Sequence, residues 1–259
     1  MTSLTIIKGG GAFDALAAAR GGIETWICRL LGASLSEVEV VEAYQGAALP
    51  DPRLSNAVVI TGSAAMITEH RPWAEAVADW LGPILSREIP VLGICFGHQL
   101  LAYHLGGVVG PNPSGREIGT TTVEVTQASR RDPLFSGLPQ RLTVQMLHEQ
   151  SVLRLPRGAV ALAENTHGPY QAARYGRRAW GVQFHPEFDS DIMGRYLEHL
   201  APELASEGLK LGALKAALRD MPCGTNLLRQ FSRRILHSAR ASGYHGLPTP
   251  NLSLGESFS

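Results

Sequence analysis

Pro90-Val91-Leu92-Gly93-Ile94-Cys95-Phe96-Gly97-His98-Gln99-Leu100-Leu101-Ala102 is the stretch on which the fold turns. Its first part, Val91-Leu92-Gly93-Ile94, is a short apolar run opened by a proline, which reads as a buried strand. Its last part, Gln99-Leu100-Leu101-Ala102, reads as a helix. The junction between them holds a cysteine with glycines two residues away on either side, the pattern of a nucleophile elbow with Cys in place of Ser. So tight a strand-to-helix turn leaves no room for side chains at 93 and 97. It projects the sulfur from the end of the sheet and aims a helix N-terminus at it, which favours the thiolate. The backbone N–H of Phe96 can then point at a substrate oxygen.

Outward from this junction the pattern repeats. Residues 4–8, 38–43 and 56–60 are short β-rich runs, and residues 23–31 and 73–81 carry apolar side chains at helical spacing. Strand alternating with helix predicts a parallel sheet with helices on both faces. After Gly106-Gly107 the character changes to closely spaced β-runs at 120–126, 142–147, 160–163, 170–175 and 180–184, with Tyr175-Gly176-Arg177-Arg178 as a hairpin turn. A helix over 191–200 and further helical material over 209–239 follow. The fold expected is therefore α/β, a doubly wound, mostly parallel sheet with an added antiparallel β section. The last ~15 residues, rich in Gly, Pro and Ser, read as a loose tail.

Composition narrows the function. The 259 residues carry 23 Lys+Arg against 23 Asp+Glu, so no net field attracts nucleic acid or an anionic membrane. A small molecule or another protein is the expected partner. Three cysteines, Cys28, Cys95 and Cys223, make neither a disulfide framework nor a metal knuckle, a usage that fits a reducing cytoplasm. No leader-type N-terminus and no run of about 18 apolar residues is present, so a soluble cytoplasmic protein is expected. No Cys/His cluster and no acidic pair has metal spacing, and no phosphate-binding glycine loop follows the first strand, so neither a metal nor a cofactor is expected.

A thiol nucleophile needs a base, and nine histidines compete. Trp180-Gly181-Val182-Gln183-Phe184 delivers His185 at the end of a β-run, and Pro186-Glu187 follows. In an extended segment residues i and i+2 share a face, so Glu187 is placed to take the Nδ1 proton of His185 and leave Nε2 for the sulfur. A His-x-Glu triplet alone is a weak signal; with the elbow ninety positions upstream it becomes strong. His98 and His104 suit packing, capping or solvent roles, while His148 and His167 fall in β-rich loop territory. Cys28 and Cys223 have the surroundings of ordinary packing residues. Val58-Val59-Ile60-Thr61-Gly62-Ser63 runs a strand into a Gly/Ser turn at the same sheet edge, and this turn either completes an oxyanion hole or is a plain βα connection.

The two stretches 90–99 and 181–188 together resemble the signature pair of class I glutamine amidotransferase domains, over roughly residues 4–200. The resemblance implies a flavodoxin-like topology and a Cys95-His185-Glu187 triad acting through a γ-glutamyl thioester. By the same likeness Phe96 and Ser63 supply oxyanion amides, beside Gly62, and Gln99 touches the γ-glutamyl group. Ile60-Thr61-Gly62-Ser63-Ala64-Ala65-Met66 departs from the Ser-Gly-Gly-Pro form of GMP synthetase and is similar to stand-alone GMP-synthetase-like amidotransferases and γ-glutamyl peptidases. The expected organisation is a catalytic domain over 1–203 and a helical extension with tail over 204–259. The expected activity is hydrolysis of glutamine or of a γ-glutamyl peptide or amine, releasing glutamate with ammonia or an amine. Its alternative is a glutamine-sensing or ammonia-supplying subunit that docks a separate synthetase, because no synthetase motif is seen. Homodimerisation is compatible with either.

Overall fold

A computed structural model describes residues 4–236. The tail, the end of the helical segment expected beyond 236 and the side chain of Cys223 lie outside the described residues. Eleven strands and eight α-helices make up the described chain, alternating in its first part. The strands are β1 (Leu4–Ile7), β2 (Val38–Val41), β3 (Ala57–Ile60), β4 (Val91–Ile94), β5 (Val108–Pro111), β6 (Glu117–Val125), β7 (Arg141–His148), β8 (Gln150–Arg154), β9 (Val160–Asn165), β10 (Gly168–Arg174) and β11 (Ala179–Val182). The helices are α1 (Asp14–Arg20), α2 (Ile23–Leu31), α3 (Pro72–Ser86), α4 (Phe96–His104), α5 (Ser190–His199), α6 (Ala201–Ser206), α7 (Leu211–Ala216) and α8 (Pro222–Gln230). A π-helical turn, Phe231–Leu236, continues α8.

Nine strands form one sheet in the order β2-β1-β3-β4-β11-β10-β9-β6-β7. The first five are parallel and the remaining pairings are antiparallel. The parallel half has the flavodoxin-like order, in which the chain reverses direction across the sheet between β1 and β3, and ligands of such sheets sit beyond the carboxyl ends of the strands. Parallel strands buried on both faces explain the unbroken apolar runs: all four residues of β1, β3, β4 and β11 are buried. Alternate residues of each strand feed two apolar layers. Ile6, Val59 and Leu92 join Trp26, Ile27 and Leu31 of α2 and Ile192, Met193 and Leu197 of α5, whereas Ile7, Val58 and Val91 join Val77, Leu81 and Ile84 of α3 and Leu100 and Leu101 of α4.

The doubly wound, mostly parallel sheet and the added antiparallel section agree with the sequence-based expectation. Several pieces were not expected, the short helix α6 among them. β5 and β8 pair as a separate two-stranded antiparallel sheet; both are short, and residues 110–115 carry the Gly/Pro signature of a loop. The helix α1 follows Gly9-Gly10-Gly11 and holds Ala-Ala-Ala with one buried apolar residue, Leu16, so it has no apolar stripe to read. Beyond residue 203 the chain rejoins the core: Leu227 and Leu228 of α8 and Phe231 are buried in the same layer as α2.

Candidate functional site

Cys95 caps the N-terminus of α4 at φ 50°, ψ −102°, a strained conformation for a side-chain-bearing residue. Three close approaches hold it there. A Cβ at Gly93 would fall 2.4 Å from the Gly97 carbonyl, and one at Gly97 would fall 2.5 Å from the Ile60 carbonyl oxygen. The third is the hydrogen bond from Cys95 N to the Val182 carbonyl oxygen, 2.8 Å. That bond extends the β4/β11 register, in which Ile94 lies opposite Val182. It explains how two motifs ninety residues apart converge: the residue after Ile94 is the sulfur, and the residues after Val182 lead to His185.

The route to His185 differs from the extended path expected. Strand β11 ends at Val182, and His185-Pro186-Glu187-Phe188 is a turn closed by Phe188 N on the His185 carbonyl, 3.2 Å. Proline at the second position of a turn is already at the φ it requires, which outweighs the extended preference of the residue before it. The turn still brings His185 Nδ1 within 2.8 Å of Glu187 Oε1. The His185 N–H is anchored to the Gln145 carbonyl of β7, 2.9 Å, and its ring stacks on Phe188 with centroids 4.2 Å apart. Nε2 is buried without a well-formed hydrogen bond and lies in interaction range of the Cys95 sulfur. Burial disfavours the imidazolium, but the negative charges of Glu187 and the Cys95 sulfur more than offset it, and the His185 pKa is raised to about 10.

The Cys95 sulfur lies 3.6 Å from the amide nitrogen of Gln183 and 3.6 Å from the Leu147 carbonyl oxygen. Gln183 Oε1 in turn accepts from Gln99 Nε2 at 3.1 Å, and Gln99 Nε2 also donates to the Gln150 carbonyl at 2.7 Å. The amide nitrogen of Gln99 is thus spent within the protein, and its orientation is set. On the other side of the sulfur, Gly62 is pressed against the pair: a Cβ there would stand 2.9 Å from His185 Cε1 and 3.6 Å from Cys95 Cβ. The loop is pinned by Thr61, whose N–H bonds the Ile7 carbonyl and whose hydroxyl accepts from Gly9 N and donates to the Gly62 carbonyl. Ser63 Oγ accepts from Ala65 N.

A cavity of about 330 Å³ opens over these groups. Cys95, His185, Gly62, Ser63 and Gln99 line it, whereas the Phe96 side chain faces away, into the α3 layer against Trp73. As the first helical residue, Phe96 offers its N–H without an intrahelical partner. The structure adds residues that the sequence reading left aside. The β7–β8 connection, Leu147 to Gln150, forms one wall. Below it His148 Nε2 meets Glu117 Oε2 at 3.1 Å, and Asn165 donates to the other oxygen at 2.6 Å. Burial opposes ionisation of Glu117, but His148 and Asn165 hold its pKa below the ordinary value. Gln183 stood inside a motif already singled out, and its β11 register with Cys95 was the available signal. His98, by contrast, is a core residue hydrogen-bonded to the Tyr170 carbonyl and the Tyr175 hydroxyl, and burial pushes it down to about 3. Among the described residues no group of three His, Cys, Asp or Glu side chains is placed to hold a metal ion, and no helix is long and apolar enough to cross a membrane.

A flavodoxin-like sheet carrying a cysteine elbow at its carboxyl edge, with a histidine and a glutamate delivered by the neighbouring strand, defines a cysteine-centred α/β protein of the amidotransferase kind. The glutamine amidotransferase class-I profile matches residues 20–200, and the chain belongs to that family. It is 37% identical over 151 residues to a GMP synthase (glutamine-hydrolysing) of Thermosipho africanus, which covers 58% of this chain but only 28% of that protein. It is 29% identical over 163 residues to a glutamine amidotransferase-like protein of Schizosaccharomyces pombe, covering 62% of this chain and 64% of the relative. A glutamine amidotransferase structure from Thermotoga maritima superposes with a TM-score of 0.73 at 28% identity, covering 91% of this chain and 99% of that one.

Proposed function

We propose that the chain hydrolyses a γ-glutamyl amide, either glutamine or a γ-glutamyl peptide or amine, with Cys95 as nucleophile, His185 as acid and base, and Glu187 as the orienting carboxylate. The observation that carries this reading is the arrangement of His185, bonded through Nδ1 to a buried Glu187 and leaving Nε2 unpartnered beside the sulfur. In the resting site His185 carries a proton beside the sulfur, and the form of the cysteine that reacts is the thiolate. The thiolate attacks the γ-carbonyl carbon, and the N–H groups of Phe96 and Ser63, with the Gly62 turn, receive the oxyanion. Collapse breaks the C–N bond as His185 gives its proton to the departing amine. Water then loses a proton to His185 and attacks the thioester carbonyl. The second collapse releases glutamate, returns the thiolate and leaves His185 protonated. Gln183 stabilises the thiolate at both ends of the cycle, and Gln99, whose amide nitrogen is engaged elsewhere, has its carbonyl left to meet the glutamyl chain.

The test is glutamate release from glutamine and from a panel of γ-glutamyl dipeptides and amines, with Cys95→Ala as the blank. Loss of all turnover in the variant with an unchanged fold is expected; residual activity above a tenth of wild type would overturn the assignment.

A second reading is favoured by the relatives named GMP synthase, which this chain matches over 28% of their length. In that reading the chain supplies ammonia from glutamine to a separate synthetase subunit. Glutaminase activity that is near zero alone and appears on adding the synthetase fraction of a cell extract would establish it, and efficient γ-glutamyl peptide turnover by the isolated chain would exclude it.

A further inference from the structure

The lining of the same cavity includes a largely apolar wall of Phe13, Ile23, Phe188, Tyr196, His199 and Leu200. Its rings are in register with the proposed acid. His185 stacks on Phe188 at 4.2 Å and 19°, Phe188 stacks on Tyr196 at 5.1 Å and 11°, Tyr196 meets Phe13 edge-on at 5.4 Å, and Phe13 lies parallel to His199 at 4.1 Å and 3°. Trp26 braces Phe188 from behind at 5.9 Å. Burial and the charge of Glu187 raise the Tyr196 pKa, so its hydroxyl stays protonated.

We infer that this wall is a leaving-group subsite and that the preferred substrate is a γ-glutamyl compound whose amine carries an aromatic or large apolar group; the inference rests on the γ-glutamyl hydrolysis proposed above. Three observations combine. The leaving amine must depart on the side from which His185 protonates it, and the wall starts at the His185 ring. Ammonia is a single small polar molecule that gains nothing from an aromatic surface, whereas a phenyl or isobutyl group gains both burial and ring contact. Finally, the cavity lining also carries charge: Arg116 is paired with Glu149 at 2.6 Å and with Glu207 at 2.8 Å, two carboxylates to one guanidinium. That charged group suits the ammonium of the glutamyl head, and the aromatic wall suits an uncharged group. A cavity of 330 Å³ falls at the lower end of the range for organic ligands of moderate size.

Equilibrium binding to the Cys95→Ala protein separates this inference from the hydrolysis itself. By calorimetry, γ-glutamyl-phenylalanine should bind about tenfold more tightly than γ-glutamyl-alanine, and γ-glutamyl-lysine no more tightly than γ-glutamyl-alanine. Adding Phe13→Ala should cut the phenylalanine preference to about threefold or less, with Phe13→Leu intermediate. In the wild-type protein the same order is expected in kcat/KM. Equal affinity for the phenylalanine and alanine compounds, or no binding of either, would overturn the subsite, as would a preference for lysine. Selective binding by Cys95→Ala without turnover by wild type would instead sink the hydrolysis and leave the subsite standing. Should Phe13→Ala fail to fold, the comparison of the three ligands on Cys95→Ala alone decides the matter.

Discussion

At position 62 a β-carbon would stand 2.9 Å from His185 Cε1, closer than any real side chain packs. Gly62→Ala should therefore push the imidazole off the sulfur while leaving the strands untouched. Displacements of this size at a reacting centre cost on the order of a hundredfold in rate. We expect kcat for glutamate release to fall by about that factor with a thermal unfolding midpoint close to wild type; a variant within about threefold of wild type would show that the loop yields freely. The protonation of His185 is the other residue-level handle. With its pKa raised from 6.5 to about 10, it stays an imidazolium across neutral pH. The kcat/KM profile should hold level from pH 7 to 9 and drop through about pH 10, and a decline already under way at pH 7.5 would mean that the resting pair is neutral. The same shift stabilises the fold fully below pH 6.5, and that contribution is lost as pH rises towards 10.

Among the elements, α4 is held closest. Gly97 touches β3 through the Ile60 carbonyl, and Gly181 of β11 leaves the space that His98 of α4 fills, since a Cβ there would lie 2.5 Å from His98 Nδ1. Gly97→Ala would have to lift the helix from the sheet, and chemical denaturation should show a loss of at least about 2 kcal/mol. His98 makes this packing sensitive to acid. Its folded pKa of about 3 lies below the ordinary 6.5, so the unfolded chain binds the extra proton between those values and stability falls as pH drops from 6.5 towards 3. The contribution is about 1.4 kcal/mol per pH unit, and denaturation at pH 6 and pH 5 should show a steeper loss for wild type than for His98→Asn. Parallel slopes would place the titration elsewhere. At this scale the sequence was readable where periodicity is strong. Val91–Ile94 was found at its observed bounds because a strand buried on both faces is wholly apolar and ends in a glycine-flanked turn. The extended reading of 185–187 failed because a proline suits both an extended neighbour and the second position of a turn, and only the His185 N–H bond to β7 selects the turn.

Over the whole molecule, the proposed catalytic residues all lie within 1–203, the span we propose as the amidotransferase domain, yet that span does not close its own core. Leu227, Leu228 and Phe231 are buried against the layer of α2. Ending the chain after residue 203 removes them, and at about 1.5–3 kcal/mol per buried side chain the loss is about 5 kcal/mol or more, comparable to the stability of an ordinary domain. A shortened chain should be insoluble or melt at least 10 °C lower, on the order of the shift such a loss implies, and one that melts as the full chain does would show that the segment only rests on the surface. By itself the sequence determined the sheet type, the elbow at Cys95 and the His185/Glu187 pair, because each is written in a local pattern: apolar period, a cysteine between glycines, a side chain two positions away. Only the tertiary structure decided what surrounds them. Leu147 and Gln183 reach the sulfur, Gln150 holds the Gln99 amide, Glu117 finds His148 across an antiparallel pair, and the aromatic wall joins α1, α5 and the turn after His185. Those neighbours lie up to about two hundred residues apart in sequence. No local pattern encodes such contacts, because their positions follow from how the layers pack rather than from any one segment's preference.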